Sequence, residues 1–294
     1  MTPQPAQLAA LAAVVDHGTF EAAARHLHVT PSAISQRIRA LETAAGQVLV
    51  RRTTPCRPTD AGRTLLGLAR QTQLLYDEAA QALAPDPARP VALPVAVNAD
   101  SLATWFHDVL GEAVGWAGLA LRLRVEDQAW SADLLRGGDV LGAVTSDPVP
   151  VQGCAIDPLG VLRYVPAAAP AFVDRWRRGR TVDWARMPVV AFNDKDDLQA
   201  GVLRERGVDL PPLTHQVPTS ADFLEAVRRG LGWATVPEPQ LLPELEAGRL
   251  VRLPGRSHVD VPLHWQRWRL ESPVLARLTG AVHRAARAHL RPGP

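Results

Sequence analysis

Between Thr30 and Arg52 the chain gathers side chains suited to a polyanion. Ser32, Ser35, Gln36 and Arg39 recur on one side of a helical stretch, opposite Ile34 and Ile38, with Arg37 at the flank. Short hydroxyls, an amide and a guanidinium are the groups that contact base edges and phosphates. Thr30 and Pro31 open the same stretch and belong to the same candidate set. Arg51 and Arg52 follow it in a basic turn suited to a nucleic-acid backbone. From Thr19 to Arg63 there are seven Arg against Glu21, Glu42 and Asp60, so the segment is locally basic although the 294-residue chain has a formal net charge of only +2.

The elements that must carry these residues are legible. Leu8, Leu11, Ala12 and Val15 fall at helical spacing before Gly18, and Phe20, Ala23, Ala24 and Leu27 repeat that spacing behind Thr19 as a cap. Thr30 caps a third helix with Pro31 at its first position, and that helix buries Ile34, Ile38 and Leu41 before stopping near Gly46. Two helices joined by about three residues form a helix-turn-helix whose second helix can enter the major groove. Val48-Leu49-Val50 reads as a short strand leading into the basic wing. The alternative is a three-helix bundle with a solvated polar face.

A long helix follows from near Asp60, capped by Thr59, to about Leu83, roughly 36 Å at about 1.5 Å per residue. Leu65, Leu68, Thr72, Leu75, Ala79 and Ala82 follow the spacing of a two-stranded seam. Either the stripe covers its own domain or it pairs two copies, as a reader of palindromic half-sites about 34 Å apart requires. Ala84 to Pro90 is a proline-rich hinge. Beyond it lie all eight Trp and short apolar runs, Val91–Val97, Leu119–Val125, Val140–Thr145, Pro188–Phe192 and Trp233–Val236, alternating with helical patterns. That alternation predicts an α/β domain on parallel strands.

Composition narrows the classes further. Cys56 and Cys154 stand alone and the nine His are scattered, so neither a zinc site nor a disulfide framework is expected. No run of about 18 apolar residues and no leader pattern occurs, so a cytoplasmic chain without membrane attachment is expected. Nucleophile-elbow, phosphate-loop, zinc-protease and dinucleotide motifs are missing, and nothing recommends an enzyme or a cofactor.

The run from Phe20 to Glu42, with its Ser32-Ala33-Ile34-Ser35 core followed by Ile38 and Leu41-Glu42, resembles the winged helix-turn-helix signature of LysR-type transcriptional regulators. Ala45 and Leu49-Val50 depart from that family's majority pattern of a large apolar residue and a Leu-Phe pair. The string Asn98-Ala99-Asp100-Ser101-Leu102-Ala103-Thr104-Trp105, with Val125-Glu126-Asp127, Gly142-Ala143-Val144, Asp209-Leu210-Pro211-Pro212 and His264-Trp265, is similar to the branch that regulates lysine and arginine export. The resemblance implies an α+β winged helix-turn-helix at 1–59, a dimerisation helix at 60–84 and a hinge at 85–90. It further implies a two-lobed, periplasmic-binding-protein-like α/β effector domain at 91–294, with lobe one at 91–163 and 267–294 and lobe two at 164–266. It implies double-stranded operator DNA, a second copy of the chain (dimer or tetramer) and RNA polymerase as partners. The effector it implies, lysine or arginine, would bind between the lobes.

The residues suit such an effector. Asp100-Ser101, with Thr104 and Trp105 beyond, starts an expected helix at Leu102–Leu110, and Thr219-Ser220 starts another; helix N-termini suit an α-carboxylate. Glu126, Asp127, Asp194, Asp196 and Asp197 stand at strand-to-helix junctions and can meet ammonium groups. Trp105, Trp130 and Trp265 can stack on an aliphatic stem, and Thr145 ends a strand beside the expected site. Each has a plainer reading: Asp100, Ser101, Thr219 and Ser220 as caps, the three aspartates near 195 as a solvated loop, and one of Trp265 and Trp268 as core. Two other functions stay open: a regulator of this type sensing another small molecule, and a small-molecule-binding protein or enzyme with a helical extension.

Overall fold

The computed structural model describes every residue except 1, 87, 126–130, 212, 256–257 and 294. Helices α1 (Pro5–His17), α2 (Phe20–His26) and α3 (Pro31–Ala45) precede the strands β1 (Val50–Arg51) and β2 (Arg57–Pro58) and the long helix α4 (Asp60–Leu83). Then come β3 (Val91–Val97), α5 (Ala99–Leu102), α6 (His107–Ala113), β4 (Leu119–Val125), α7 (Ser131–Arg136), β5 (Gly142–Thr145) and β6 (Cys154–Ala168). The rest comprises α8 (Pro170–Arg175), β7 (Arg177–Arg178), β8 (Thr181–Val182), β9 (Val189–Ala191), α9 (Leu198–Arg204), β10 (Thr214–Gln216) and α10 (Ser220–Arg228). It ends with β11 (Ala234–Pro237), α11 (Glu238–Glu246), β12 (Val251–Arg252), β13 (Val259–Trp268) and α12 (Pro273–His289). The chain divides into two compact units: Met1–Val97, Ala113–Ile156 and Trp265–Thr279 in the first, and Asn98–Glu112, Asp157–His264 and Gly280–Pro294 in the second.

The first unit begins with a head whose core is Ala10, Leu11, Val14, Ala23, Ala24, Ile34, Ile38, Leu41 and Leu49. Thr19 accepts from Ala22 N at 3.1 Å and Thr30 from Ala33 N at 3.2 Å, so both expected caps form. The α1 face is shifted: Ala12 and Val15 are half-buried while Ala10, Ala13 and Val14 are buried. Leu8 to Val15 is apolar all round, so its sequence carries no phase and packing against α2, α3 and α4 supplies it. The wing strand starts later than Val48. Val50 pairs with Pro58 and Arg51 with Arg57, and Glu42 Oε1 on α3 anchors it by accepting from Leu49 N at 2.9 Å.

Helix α4 is amphipathic twice over. Leu66, Gly67, Ala69 and Leu74 are buried within its own unit. On the expected seam Leu68 and Leu75 are each 42% exposed, Leu65 and Thr72 are half-buried, and Ala79 and Ala82 are exposed. Gly138 meets α4 so closely that a Cβ there would fall 2.5 Å from Gly67 Cα. Next to that approach the Arg70 guanidinium, 15% exposed, donates to Gly138 O and Asp139 Oδ1 at 2.7 Å and to Asp16 Oδ1 at 2.6 Å. One side chain thus joins α1, α4 and the turn before β5. Arg70→Ala is expected to cost about 1–3 kcal/mol, since it leaves two carboxylates and a carbonyl without their donor. Urea denaturation at low and high salt checks this, with the difference shrinking as salt screens the pairs.

Behind α4, β3 pairs in parallel with β4 and with β5. The end of β13 joins β5 through Trp268 N to Leu141 O at 3.2 Å. In the second unit β9 and β10 are parallel, whereas β6 pairs antiparallel with β11 and β12. The purely parallel expectation therefore fails for β6, β11 and β12. Pro158, Gly160 and Pro166 interrupt the β6 sequence and hide a fifteen-residue strand. Trp184 and Trp233, edge to face at 5.2 Å, build the core there with Met187, Val202 and Leu203. The helix expected at Leu102–Leu110 is also corrected. Asn98 caps an earlier short helix by accepting from Ser101 N at 3.3 Å, and the chain turns at 103–106 to bury Trp105 and Phe106 before α6.

Candidate functional site

Helix α3 runs Pro31–Ala45 between its Thr30 cap and Gly46. With Ile34, Ile38 and Leu41 fully buried, the opposite side has only solvent to face. Thr30, Pro31, Ser32, Gln36 and Arg39 are exposed, and Ser35 and Arg37 are half-buried at the edge. Thr30 and Ser32 share a hydrogen bond of 2.9 Å at the helix start. Arg51 is exposed on the wing. Arg52 is exposed as well, but its guanidinium lies 5.0 Å over the Phe20 ring, which fixes the wing to α2. All nine expected DNA-contacting residues lie on this head, and each is at least partly open to solvent.

The expected effector residues fall into three groups. Asp100 and Ser220 are brought together, with Asp100 Oδ1 3.4 Å from Ser220 Oγ. The Asp196 charge acts on Asp100, but the Asp196 carboxylate also accepts from Phe192 N at 2.8 Å and Leu198 N at 3.2 Å, which shapes the turn into α9. Ser101 Oγ is buried without a hydrogen-bond partner one residue along. Thr104 Oγ1 donates to Asp100 O at 2.6 Å and so shapes the chain at Asp100 rather than opening to solvent.

The second group has partners or packing of its own away from Asp100. Trp105 is buried with its ring 5.6 Å from Phe106. Asp194 accepts from Gln216, and Asp197 pairs with Arg204. In the first unit Thr145 is buried and accepts from Asp147 N at 3.0 Å. Trp265 is fully buried there, donates to Thr279 Oγ1 at 3.1 Å and covers Gly142. The third group, Glu126 and Asp127, lies outside the described residues, as does Trp130.

Two residues join Asp100 without having been expected. Tyr164, fully buried on β6, donates to Asp100 Oδ2 at 2.9 Å, and Gln240 on α11 donates to Ser220 Oγ at 3.4 Å. Burial pushes the Asp100 carboxyl above its ordinary value, and the like charge of Asp196 adds to that; the Tyr164 and Ser220 hydrogen bonds oppose it. Burial and the neighbouring carboxylate likewise raise the Tyr164 phenol well above its usual range, so it serves as a neutral donor. Tyr164 is one of only two tyrosines, the other being Tyr76 on α4. No spacing rule connects it to Asp100, 64 residues earlier. Among the described residues no cluster of three or more His, Cys, Asp or Glu is arranged to hold a metal ion.

Residues 5–63 match the family model of the bacterial regulatory helix-turn-helix protein, LysR family, and residues 115–287 match the LysR substrate-binding domain. The chain belongs to the LysR family. It is 46% identical over 291 residues to the lysine export transcriptional regulatory protein LysG of Corynebacterium glutamicum, covering 98% of this chain and 99% of that one. The structure of full-length LysG from that organism with bound effector Arg matches with a TM-score of 0.84 at 46% identity, over 98% of this chain and 100% of that one. The crystal structure of ArgP from Mycobacterium tuberculosis matches with a TM-score of 0.91 at 46% identity over the whole of both chains. This LysR-family regulator thus combines a winged helix-turn-helix with a two-lobed α/β substrate-binding domain. No helix among its described residues is long and apolar enough to cross a membrane.

Proposed function

We propose that this LysR-family protein is a cytoplasmic, non-enzymatic regulator that senses lysine or arginine and controls transcription of an amino-acid exporter gene. The observation that carries the reading is full-length similarity to LysG, a lysine export regulator whose structure holds arginine as effector. The outward polar face of α3 supports it, as does the carboxylate of Asp100, which among the described residues meets neutral groups and a like charge. Thr30, Pro31, Ser32, Ser35, Gln36, Arg37 and Arg39 read the major groove, and Arg51 and Arg52 hold the backbone. The chain acts as a homodimer or a dimer of dimers through the exposed seam of α4, which sets two heads on a palindromic operator. The effector acts through its different affinity for two conformations of the assembly, which changes how the heads meet DNA and RNA polymerase.

DNase footprinting and in vitro transcription on the promoter beside the gene, with and without saturating lysine or arginine, test this. Unchanged footprint and transcript would remove the sensor reading. Gln36→Ala or Arg39→Ala is expected to weaken operator binding by about 1–3 kcal/mol for each base edge no longer bonded, with effector affinity unaltered. Gel-shift titrations at several salt concentrations check it, since removing a phosphate's partner changes the salt slope and removing a base's partner does not.

A further inference from the structure

The Asp100 carboxylate is held by groups that cannot neutralise it. Oδ2 accepts from Tyr164 Oη at 2.9 Å, Oδ1 lies 3.4 Å from Ser220 Oγ, and Gln240 Nε2 backs Ser220 at 3.4 Å. No Arg, Lys or His among the described residues pairs with it. The charge that acts on it is Asp196, of the same sign. Asp100 is half-buried as a residue, its carboxylate recessed beside β6 and α10. An anion placed this way carries a desolvation cost that an arriving cation would offset.

The remaining valences suit a cation that brings several donors. A carboxylate offers about four acceptor sites. Tyr164 and Ser220 take up one on each oxygen, which leaves about two for an arriving donor group. A tetrahedral ammonium with three donors can use them, with the Ser220 hydroxyl oxygen beside Asp100 as a further acceptor. Lysine and arginine differ at the far end of the side chain but share the α-ammonium group.

We infer that Asp100, positioned by Tyr164, is the receptor for the α-ammonium group of the effector. This rests on the basic-amino-acid reading above and assigns that site its bond to the amino-acid head. Tyr164 acts through Asp100: its hydroxyl favours the ionised carboxylate, while burial and Asp196 disfavour it. Effector affinity therefore rises with pH as Asp100 ionises. Among the described residues, the groups facing it are Tyr164 from β6, Ser220 from α10 and the like charge of Asp196 from the turn before α9, with Gln240 of α11 behind Ser220.

Calorimetry of the full chain tests this, using L-arginine, L-lysine and 5-guanidinopentanoic acid, which is arginine without its α-amino group. The wild-type chain is expected to bind the deaminated compound about 100-fold more weakly than arginine, and Asp100→Asn to lose a similar factor toward arginine and lysine but little toward the deaminated compound. Tyr164→Phe is expected to bind arginine about tenfold more weakly, with its affinity-versus-pH curve displaced to higher pH, a shift that a merely structural residue would not produce. Asparagine preserves the shape of the side chain, and the Tyr164→Phe curve decides the matter if Asp100→Asn does not fold. Wild-type binding of deaminated arginine as tight as that of arginine, or an Asp100→Asn variant that binds arginine like wild type, overturns the assignment and leaves the sensor reading intact. A wild-type chain that binds neither lysine nor arginine overturns both.

Discussion

Gly62→Ala is expected to separate the wing from the long helix and abolish operator binding. A Cβ added at Gly62 would stand 2.0 Å from Leu49 O and 3.3 Å from Pro58 Cβ. That oxygen cannot retreat freely, because it accepts from Thr59 N at 2.9 Å. Thr59 in turn caps α4 at Gly62 N, 3.0 Å away, and donates to Val48 O at 2.7 Å. Relieving the clash therefore breaks the cap and the attachment of the wing together. Overpacking costs about 1–3 kcal/mol and removal of a cap about 1 kcal/mol, against a helix-propensity gain of at most about 1 kcal/mol for alanine over glycine. The net expectation is a loss of about 1–3 kcal/mol. Circular dichroism melts and gel shifts check it. Gly111→Ala in α6 is the matched control: nothing lies within 4 Å of its added Cβ, so it should melt at or slightly above the wild-type temperature. Equal melting temperatures for Gly62→Ala and wild type would show that the wing and α4 part without cost.

Glu244→Gln is expected to destabilise the second unit and remove much of its acid sensitivity. The Glu244 side chain is 4% exposed and accepts from Arg249 Nε and Arg228 Nε, each at 2.7 Å, with further hydrogen bonds from both guanidinium groups. The hydrogen bonds from Arg249, then those from Arg228, hold its carboxyl down to about 2 from an ordinary value of 4.5. The folded state thus favours the ionised form. The stabilisation is complete above pH 4.5 and is lost as pH falls from there toward about 2. A shift of that size corresponds to about 3 kcal/mol, reduced toward about 2 kcal/mol because Arg249 is half open to solvent. Urea denaturation of wild type and Glu244→Gln at several pH values checks this. The two should differ most at neutral pH and converge at the acid end, and parallel curves would refute the assignment.

Legibility in the sequence followed how local each interaction is. The caps at Thr19, Thr30 and Thr59, proline at the start of α3 and the spacing of Ile34, Ile38 and Leu41 are all set within one or two helical turns, and each appears where the spacing put it. The strands β3 and β4 were legible as short, mostly apolar runs, β4 with Arg122 and Arg124 alternating into it. Strand β6 was not among the expected runs: Pro158 and Gly160 break its pattern, and pairing with its neighbours in the sheet, β11 and β12 among them, holds the segment extended. The acidic residues near 195 carried no signal of their division of labour: Asp194 serves Gln216, Asp197 serves Arg204, and Asp196 shapes the turn into α9. Trp265, a candidate for stacking, is core because Gly142 leaves room for its ring.

From the sequence alone followed a basic helix-turn-helix head, the capped long helix, an α/β remainder and a strong resemblance to one regulator family, all of which rest on periods and caps between near neighbours in the chain. The tertiary structure decided which polar residues meet. Asp100, Tyr164, Ser220 and Gln240 come from α5, β6, α10 and α11, and nothing in the spacing of those segments links them. The cost of desolvating a carboxylate depends on what surrounds it in space, and that is settled only when the distant segments fold together.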